Sequence, residues 1–140
     1  MRALIDTDIL LDVLLDRNPF AQDASDLWEA NRLGQFEGYI AAIAPINIFY
    51  IVRKLKSLPV AHQSVREVLA AFKVCPVDQT VLQAATTLNF TDYEDAVQNA
   101  SAAAINLDAI VTRNLKDYKG ATIPVFSPTD FIKQLPPIQP

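Results

Sequence analysis

The chain opens with the stretch Met1-Arg-Ala-Leu-Ile-Asp-Thr-Asp-Ile-Leu-Leu-Asp12, and this stretch decides the fold. A short apolar run, Ala3 to Ile5, that ends at a polar residue is typical of a buried strand in a parallel sheet. It brings Asp6 and Asp8 to the carboxyl end of that strand, where open α/β sheets carry their functional sites, and Asp12 follows one helical turn later. Because Mg²⁺ and Mn²⁺ prefer carboxylate oxygens, these acids indicate a divalent cation site. The alternative for Asp8 is that it only caps the helix that follows.

Length and composition predict one compact domain without a membrane segment. The 140 residues are 51% hydrophobic, which is enough apolar sequence for a core. We expect a single domain over residues 1–135 and a frayed proline-rich tail at 136–140. The chain start lacks a signal-peptide pattern, and no apolar run approaches the roughly 18 to 20 residues that span a bilayer. The one cysteine, Cys75, cannot form an internal disulfide and is interpreted as a buried apolar residue, so we expect a cytoplasmic protein.

The net charge restricts the ways in which this protein can bind nucleic acid. A formal charge of −4 argues against a broad basic surface that coats nucleic acid. This charge is compatible with an enzyme that holds one phosphodiester at a bound cation. The positive residues form two clusters, Arg53, Lys54 and Lys56 in the first and Arg113, Lys116 and Lys119 in the second.

Short apolar runs alternate with helical patterns along the whole chain. The predicted strands lie at about 3–5, 37–42, 73–77, 109–112 and 123–126. The predicted helices lie at about 9–15, 20–32, 45–56, 60–72, 78–88, 92–104 and 129–135. This alternation predicts a three-layer α/β/α sandwich with a central, mostly parallel sheet.

Acidic residues occur at three element boundaries. Asp6 closes the first strand, Asp92, Glu94 and Asp95 open an alanine-rich helix, and Asp117 follows a later strand. Strand ends and the helix starts that follow them share one edge of a parallel sheet, so we expect these acids to converge. Carboxylates a few ångströms apart repel, which raises a pKa unless a cation neutralises them. Each acid also has a structural alternative: Asp92 suits a helix N-cap, and Asp117 suits a turn.

Together these segments resemble the PIN domain, and within it the VapC-like toxins of bacterial toxin–antitoxin pairs. The resemblance rests on three segments in order, Leu4–Asp12, Asp92–Gln98 and Ile110–Tyr118. It implies a metal-dependent endoribonuclease with three or four site acids and Mg²⁺ or Mn²⁺ as cofactor. It also implies RNA as substrate, a cognate antitoxin as partner, and a homodimer.

The resemblance assigns roles to particular residues. Asp6 matches the first metal-binding aspartate, and Asp95 matches the aspartate that opens the late helix. Two positions depart from the pattern: Asn47 stands where a glutamate is usual, and Asn114 stands where an acid is often found. Asp117 is then the nearest carboxylate and the third expected metal ligand. We expect Asn47 to orient a water or the phosphate, and catalysis to depend on these four residues, Asp6, Asn47, Asp95 and Asp117.

The expected contacts to RNA come from polar residues beside the acids. Arg113 could bridge two phosphate oxygens. The full set expected to bind the substrate is Thr7, Asp8, Thr112, Arg113 and Asn114.

Two other functions compete with the ribonuclease. The Asp6-x-Asp8 spacing matches the nucleophile and acid of haloacid-dehalogenase-type phosphatases, but Ala41-Ala42 stand where a Ser or Thr would end the second strand. The second alternative is a PIN-like module that lost acids and now binds RNA or a partner, which Asn47 and Asn114 motivate. Hydrolysis of a phosphomonoester would favour the phosphatase.

Overall fold

Five parallel strands form the centre of the molecule. The computed structural model describes residues 1–138. In chain order the strands are β1 (Arg2–Ile5), β2 (Glu37–Ala41), β3 (Lys73–Cys75), β4 (Ala109–Val111) and β5 (Val125–Phe126). Their order across the sheet is β3-β2-β1-β4-β5, and each neighbouring pair is parallel. The predicted parallel sheet is therefore confirmed, with β1 at its middle.

Seven α-helices and one 3₁₀ helix are present in residues 1–138. The α-helices are α1 (Thr7–Leu14), α2 (Ala21–Arg32), α3 (Ala44–Leu55), α4 (Leu58–Ala71), α5 (Gln79–Ala85), α6 (Tyr93–Ala104) and α7 (Pro128–Lys133). The 3₁₀ helix, Leu115–Tyr118, was not predicted. Strand β3 ends before Pro76 and β5 begins after Pro124, so both are shorter than predicted because proline has no N–H to donate to a sheet.

The side chains of β1 alternate between two cores, which makes the sheet the middle of three layers. Ala3 and Ile5 pack with residues of α1, α2, α3, α4 and α7. Leu4 points to the other side and packs with Ala102 of α6 and Tyr118 of the 3₁₀ helix. The predicted three-layer α/β/α sandwich is confirmed. Cys75 is fully buried, as expected for a small apolar residue.

The starts of α1 and α6 position the acids at the carboxyl edge of the sheet. Asp6 occupies the N-cap position of α1, and Asp8 lies inside the first turn. The interpretation of Asp8 as a helix cap is therefore wrong. At α6 the N-cap interpretation is confirmed, since the Asp92 carboxylate accepts a hydrogen bond from the Asp95 N–H at 3.0 Å.

The C-terminal tail lies against the segment just before β2. The tail begins with an ordered contact, since the Gln35 amide donates to the Pro136 carbonyl at 3.0 Å. Gln139 and Pro140, the last two residues of the expected frayed tail, lie outside the described residues. Within residues 1–138, every helix is too short or too polar to cross a membrane.

A buried ion cluster joins α1 to the end of β4. Asp12 is fully buried, and its carboxylate lies 2.9 Å from Arg17 Nε and 2.8 Å from Arg113 Nε. The Arg113 guanidinium also stacks 4.0 Å above the Phe20 ring. Two arginines compensate one buried acid, which is the condition under which a buried charge is tolerated.

This cluster predicts a large effect of Asp12→Ala. The substitution leaves two guanidinium groups against an apolar helix without their acid, so the free energy of unfolding should fall by about 3 kcal/mol. Urea denaturation followed by circular dichroism measures it. Asp26→Asn on the exposed face of α2 is the matched control and should stay within about 0.5 kcal/mol of wild type. If the free energy of unfolding of Asp12→Ala fell by less than about 1 kcal/mol, the stabilising role of the buried ion cluster would be contradicted.

Candidate active site

A cavity of about 250 Å³ opens at the carboxyl edge of the sheet, between α1, α3 and α6. The topology explains its position, because β1 leads directly into α1 while α6 begins at the same edge. Its polar lining consists of Asp6, Thr7, Asp8, Asn47, Glu94, Asp95 and Gln98. The structure therefore brings together five of the predicted site residues and adds two that were not assigned a role.

Asp6 is the deepest acid of this cavity, with 5% of its surface exposed. Gln98 Nε2 donates to its Oδ1 at 3.1 Å, and Thr112 Oγ1 donates to its Oδ2 at 2.8 Å. Burial raises the pKa of Asp6, and these two hydrogen bonds oppose the increase. Both donors are neutral, so they orient the carboxylate without cancelling its charge.

The three aspartates of α1 and its N-cap differ in how their charge is compensated. Asp12 contacts two arginines, and Arg17 also lies 3.5 Å from the Asp8 carboxylate. Among residues 1–138, no Lys, Arg or His nitrogen lies within 4.0 Å of a carboxylate oxygen of Asp6 or Asp95. A buried charge without a partner is costly. The charges of Asp6 and Asp95 are thus left without a basic partner, in contrast to the charge of Asp12.

Asp95 is the second acid of the cavity. Burial, followed by the neighbouring charges of Asp6 and Asp92, raises its pKa to about 7. The Tyr118 hydroxyl donates to Asp95 Oδ1 at 3.2 Å and partly opposes that increase. This carboxyl group therefore keeps its proton to a higher pH than an exposed aspartate does.

A hydrogen-bonded pair, Gln98 and Tyr118, links the two acids. Gln98 Nε2 also donates to the Tyr118 hydroxyl at 2.8 Å, so one chain of hydrogen bonds runs from Asp6 to Asp95. Both linking residues are buried, and burial raises the pKa of Tyr118, which keeps it a neutral donor. Sequence reasoning missed them, although Gln98 lies one helical turn after Asp95 and so shares its helix face.

The predicted substrate-binding residues have other neighbours in the structure. Thr112 is fully buried with its hydroxyl committed to Asp6, and that hydroxyl also accepts the Asn114 N–H at 3.1 Å. Arg113 is committed to Asp12. Thr112 and Arg113 thus support Asp6 and Asp12, and their contact to the RNA backbone stays a prediction.

The remaining predicted residues divide between the cavity and its surroundings. Thr7 lines the cavity, and its hydroxyl lies 3.4 Å from Gln98 Oε1. Asn47 lines it from α3. Asp117 lies outside, exposed on the 3₁₀ helix, and is the smallest of the causes that raise the pKa of Asp95. Sequence proximity to the end of β4 suggested Asp117, but the 3₁₀ helix that follows turns it to solvent.

The donor set fits a divalent cation that keeps part of its water. Within residues 1–138, no three His, Cys, Asp or Glu side chains form a ready metal cage. Mg²⁺ needs none, because it retains several waters and is usually held by one or two carboxylates together with substrate phosphates. Asp6 and Asp95 supply two such carboxylates in one cavity.

Comparison with known proteins identifies a family and a common fold. The family model described as PIN domain matches residues 2–116. A toxin–antitoxin complex from Klebsiella pneumoniae shares 25% identity at a TM-score of 0.69, covering 90% of this chain and 97% of that one. A search of curated proteins gave no match.

Two more distant structures share the fold. One chain of the DNA-bound VapBC from Salmonella typhimurium aligns at a TM-score of 0.71 and 14% identity, covering 91% of this chain and 98% of that one. Mycobacterium tuberculosis VapC20, described as a sarcin–ricin loop cleaving toxin, aligns at a TM-score of 0.64 and 10% identity, covering 77% and 86%. At these identities the likeness shows the fold alone.

The protonation of Asp95 predicts a pH dependence of stability in the metal-free protein. Its pKa is about 7 in the folded state and near 4 in an unfolded chain, so the folded state retains the proton more strongly. The resulting stabilisation is complete below about pH 4 and is lost as the pH rises through 7. In Asp95→Asn this component is absent, and the fall in Tm between pH 5 and 8 should be smaller than in wild type. Thermal unfolding in buffer with chelator measures it, and equal pH profiles would contradict the assignment.

Proposed function

The chain belongs to the PIN domain family, and on that premise we propose that it is a Mg²⁺- or Mn²⁺-dependent endoribonuclease and the toxin of a toxin–antitoxin pair. The observation that carries the proposal is the buried Asp6 carboxylate, which faces a cavity beside Asp95 and is held by neutral donors alone. Family membership removes the haloacid-dehalogenase-type phosphatase from consideration.

In the proposed reaction the chain supplies charge and orientation. Asp6 and Asp95 hold the cation, while Gln98 and Tyr118 keep the two carboxylates in place. The bound cation supplies activation of a water and stabilisation of charge on the phosphate oxygens. Asn47 orients a water or a phosphate oxygen through its amide.

RNA reaches the cavity along the rim formed by α1 and α3. Thr7 and Asp8 line that rim and offer polar contacts to the RNA backbone, and Asn114 lies on the β4 side. The Mycobacterium tuberculosis neighbour, which shares the fold, is described as a sarcin–ricin loop cleaving toxin. The acidic charge of the chain favours binding at a cation over binding by a basic surface.

Partners are proposed from the neighbours and from an exposed apolar surface. Ile46, Tyr50 and Leu55 of α3 and Leu58 of α4 are each about half exposed or more. Exposed apolar groups that cluster mark interaction surfaces. The Klebsiella pneumoniae neighbour comes from a toxin–antitoxin complex. We propose a cognate antitoxin as partner, a homodimer as the assembly, and the cytoplasm as the location.

A weakened, non-catalytic binding module is the competing function. Asn47 and Asn114 favour it, because an amide keeps a coordinating oxygen but removes a charge. The buried charge at Asp6 favours the nuclease, since a module that only binds partners gains nothing from an uncompensated acid.

The ribonuclease proposal predicts that cleavage and stability respond oppositely to Asp6→Asn. Cleavage of a mixed-sequence single-stranded RNA in Mn²⁺ should fall at least about 100-fold, because a ligand is lost. Stability in chelator should stay equal or increase, because the variant removes a buried charge while the Thr112 hydroxyl can rotate to accept from the amide.

Asp95→Asn should lose cleavage as well. EDTA should abolish cleavage by the wild type. Asp26→Asn is the matched control and should keep full activity. Cleavage retained in folded Asp6→Asn would refute the site. A folded wild type that binds Mn²⁺ but cuts no RNA would favour the binding module.

A further inference from the structure

We propose that Glu94, rather than Asp117, is the third acid of the cation site, acting through water, and that Asn47 is the residue that positions it. The inference rests on the proposed function, because it concerns the same cation. It adds a residue to the site and gives the unusual asparagine on α3 a defined task.

The structure places Glu94 where a third acid is useful. Glu94 is the second residue of α6 and lines the cavity together with Asp6 and Asp95. Its Oε2 accepts a hydrogen bond from Asn47 Nδ2 at 3.2 Å, which joins α6 to α3 across the cavity. Asp117 is exposed outside this cavity.

The three acids at the start of α6 have separate tasks. Asp92 caps the helix through the Asp95 N–H, and Asp95 accepts from Tyr118 inside the cavity. Glu94 is exposed and is held by Asn47, so its carboxylate can turn towards water that a cation carries. Because Glu94 is exposed while Asp6 is buried, we assign Glu94 a contact through water rather than direct ligation.

The amide at position 47 and the acid at position 94 are complementary. The resemblance to the family predicts a glutamate where Asn47 stands. Here a glutamate would face the Glu94 carboxylate, and two like charges at hydrogen-bonding distance repel. An asparagine instead donates a hydrogen bond to that carboxylate. We infer that the acid of this part of the cavity has moved from α3 to α6.

A simpler explanation is that Glu94 only stabilises the positive end of the α6 dipole. Mn²⁺ titration of the full chain by calorimetry, without RNA, separates the two explanations. Glu94→Gln should bind Mn²⁺ about tenfold more weakly than wild type. A loss of this size is typical when the removed residue does not bind the metal directly but contacts one of its ligands. Glu94→Asp keeps the charge but withdraws the carboxylate by one methylene, and it should also bind more weakly than wild type.

Two matched variants control for charge. Asp92→Asn removes one charge from the same helical turn and keeps the cap, because asparagine caps as well as aspartate. Asp117→Asn removes the acid that sequence position favoured. In both variants the Kd for Mn²⁺ should stay within about twofold of the wild-type value, because a distant exposed charge is largely screened by salt. Circular dichroism and Tm in chelator confirm that each variant is folded.

The positioning role of Asn47 has its own readout. Asn47→Ala should weaken Mn²⁺ binding, but it should add nothing in a Glu94→Gln background if Asn47 acts through Glu94. Additive losses in the double variant would overturn the positioning role.

The outcomes distinguish this inference from the proposed function. If wild type binds no Mn²⁺, the proposed function fails. If Asp6→Asn abolishes binding while Glu94→Gln matches Asp92→Asn, only the role of Glu94 fails. A larger loss in Asp117→Asn than in Glu94→Gln would return the third position to Asp117.

Discussion

The burial of the Asp6 carboxylate among neutral donors is the constraint on which the rest of the site depends. Its two oxygens accept from Gln98 and Thr112, so their orientation is fixed while their charge is left uncompensated. Asp12, six residues later, is also buried, but two arginines compensate its charge. The contrast between these two positions is the reason why we propose Asp6 as a ligand of the cation.

The parallel sheet explains why the other site residues gather around Asp6. β1 is central, so its carboxyl end lies beside the ends of β2 and β4 and beside the start of α6. Asp95 and Gln98 come from one face of α6, and Tyr118 of the 3₁₀ helix after β4 hydrogen-bonds to both of them. The buried hydrogen-bond chain sets the spacing of the acids, while the exposed side chains of α3 form the rim.

Much of the fold could be predicted because four of the five strands, all except β2, are short runs that end at a polar residue or a proline. That Asp6 and Asp95 line one cavity was also predictable, since both stand at a boundary between elements. The role of Asp12 was not, because Arg113 is far away in sequence and only the strand order brings it near. Asp117 was suggested by its nearness to β4, but a four-residue 3₁₀ helix is too short for a periodic signal and changes its direction.

On this account the Asp6 cavity binds a divalent cation in the folded state. The most direct test compares thermal unfolding of wild type and Asp6→Asn at pH 8, with chelator and with millimolar Mn²⁺. At a Mn²⁺ concentration 100 times its Kd, the ion should stabilise wild type by about 2.7 kcal/mol and raise its Tm, and it should leave the Tm of Asp6→Asn unchanged. An unchanged Tm in wild type, or an equal increase in both proteins, would contradict the account.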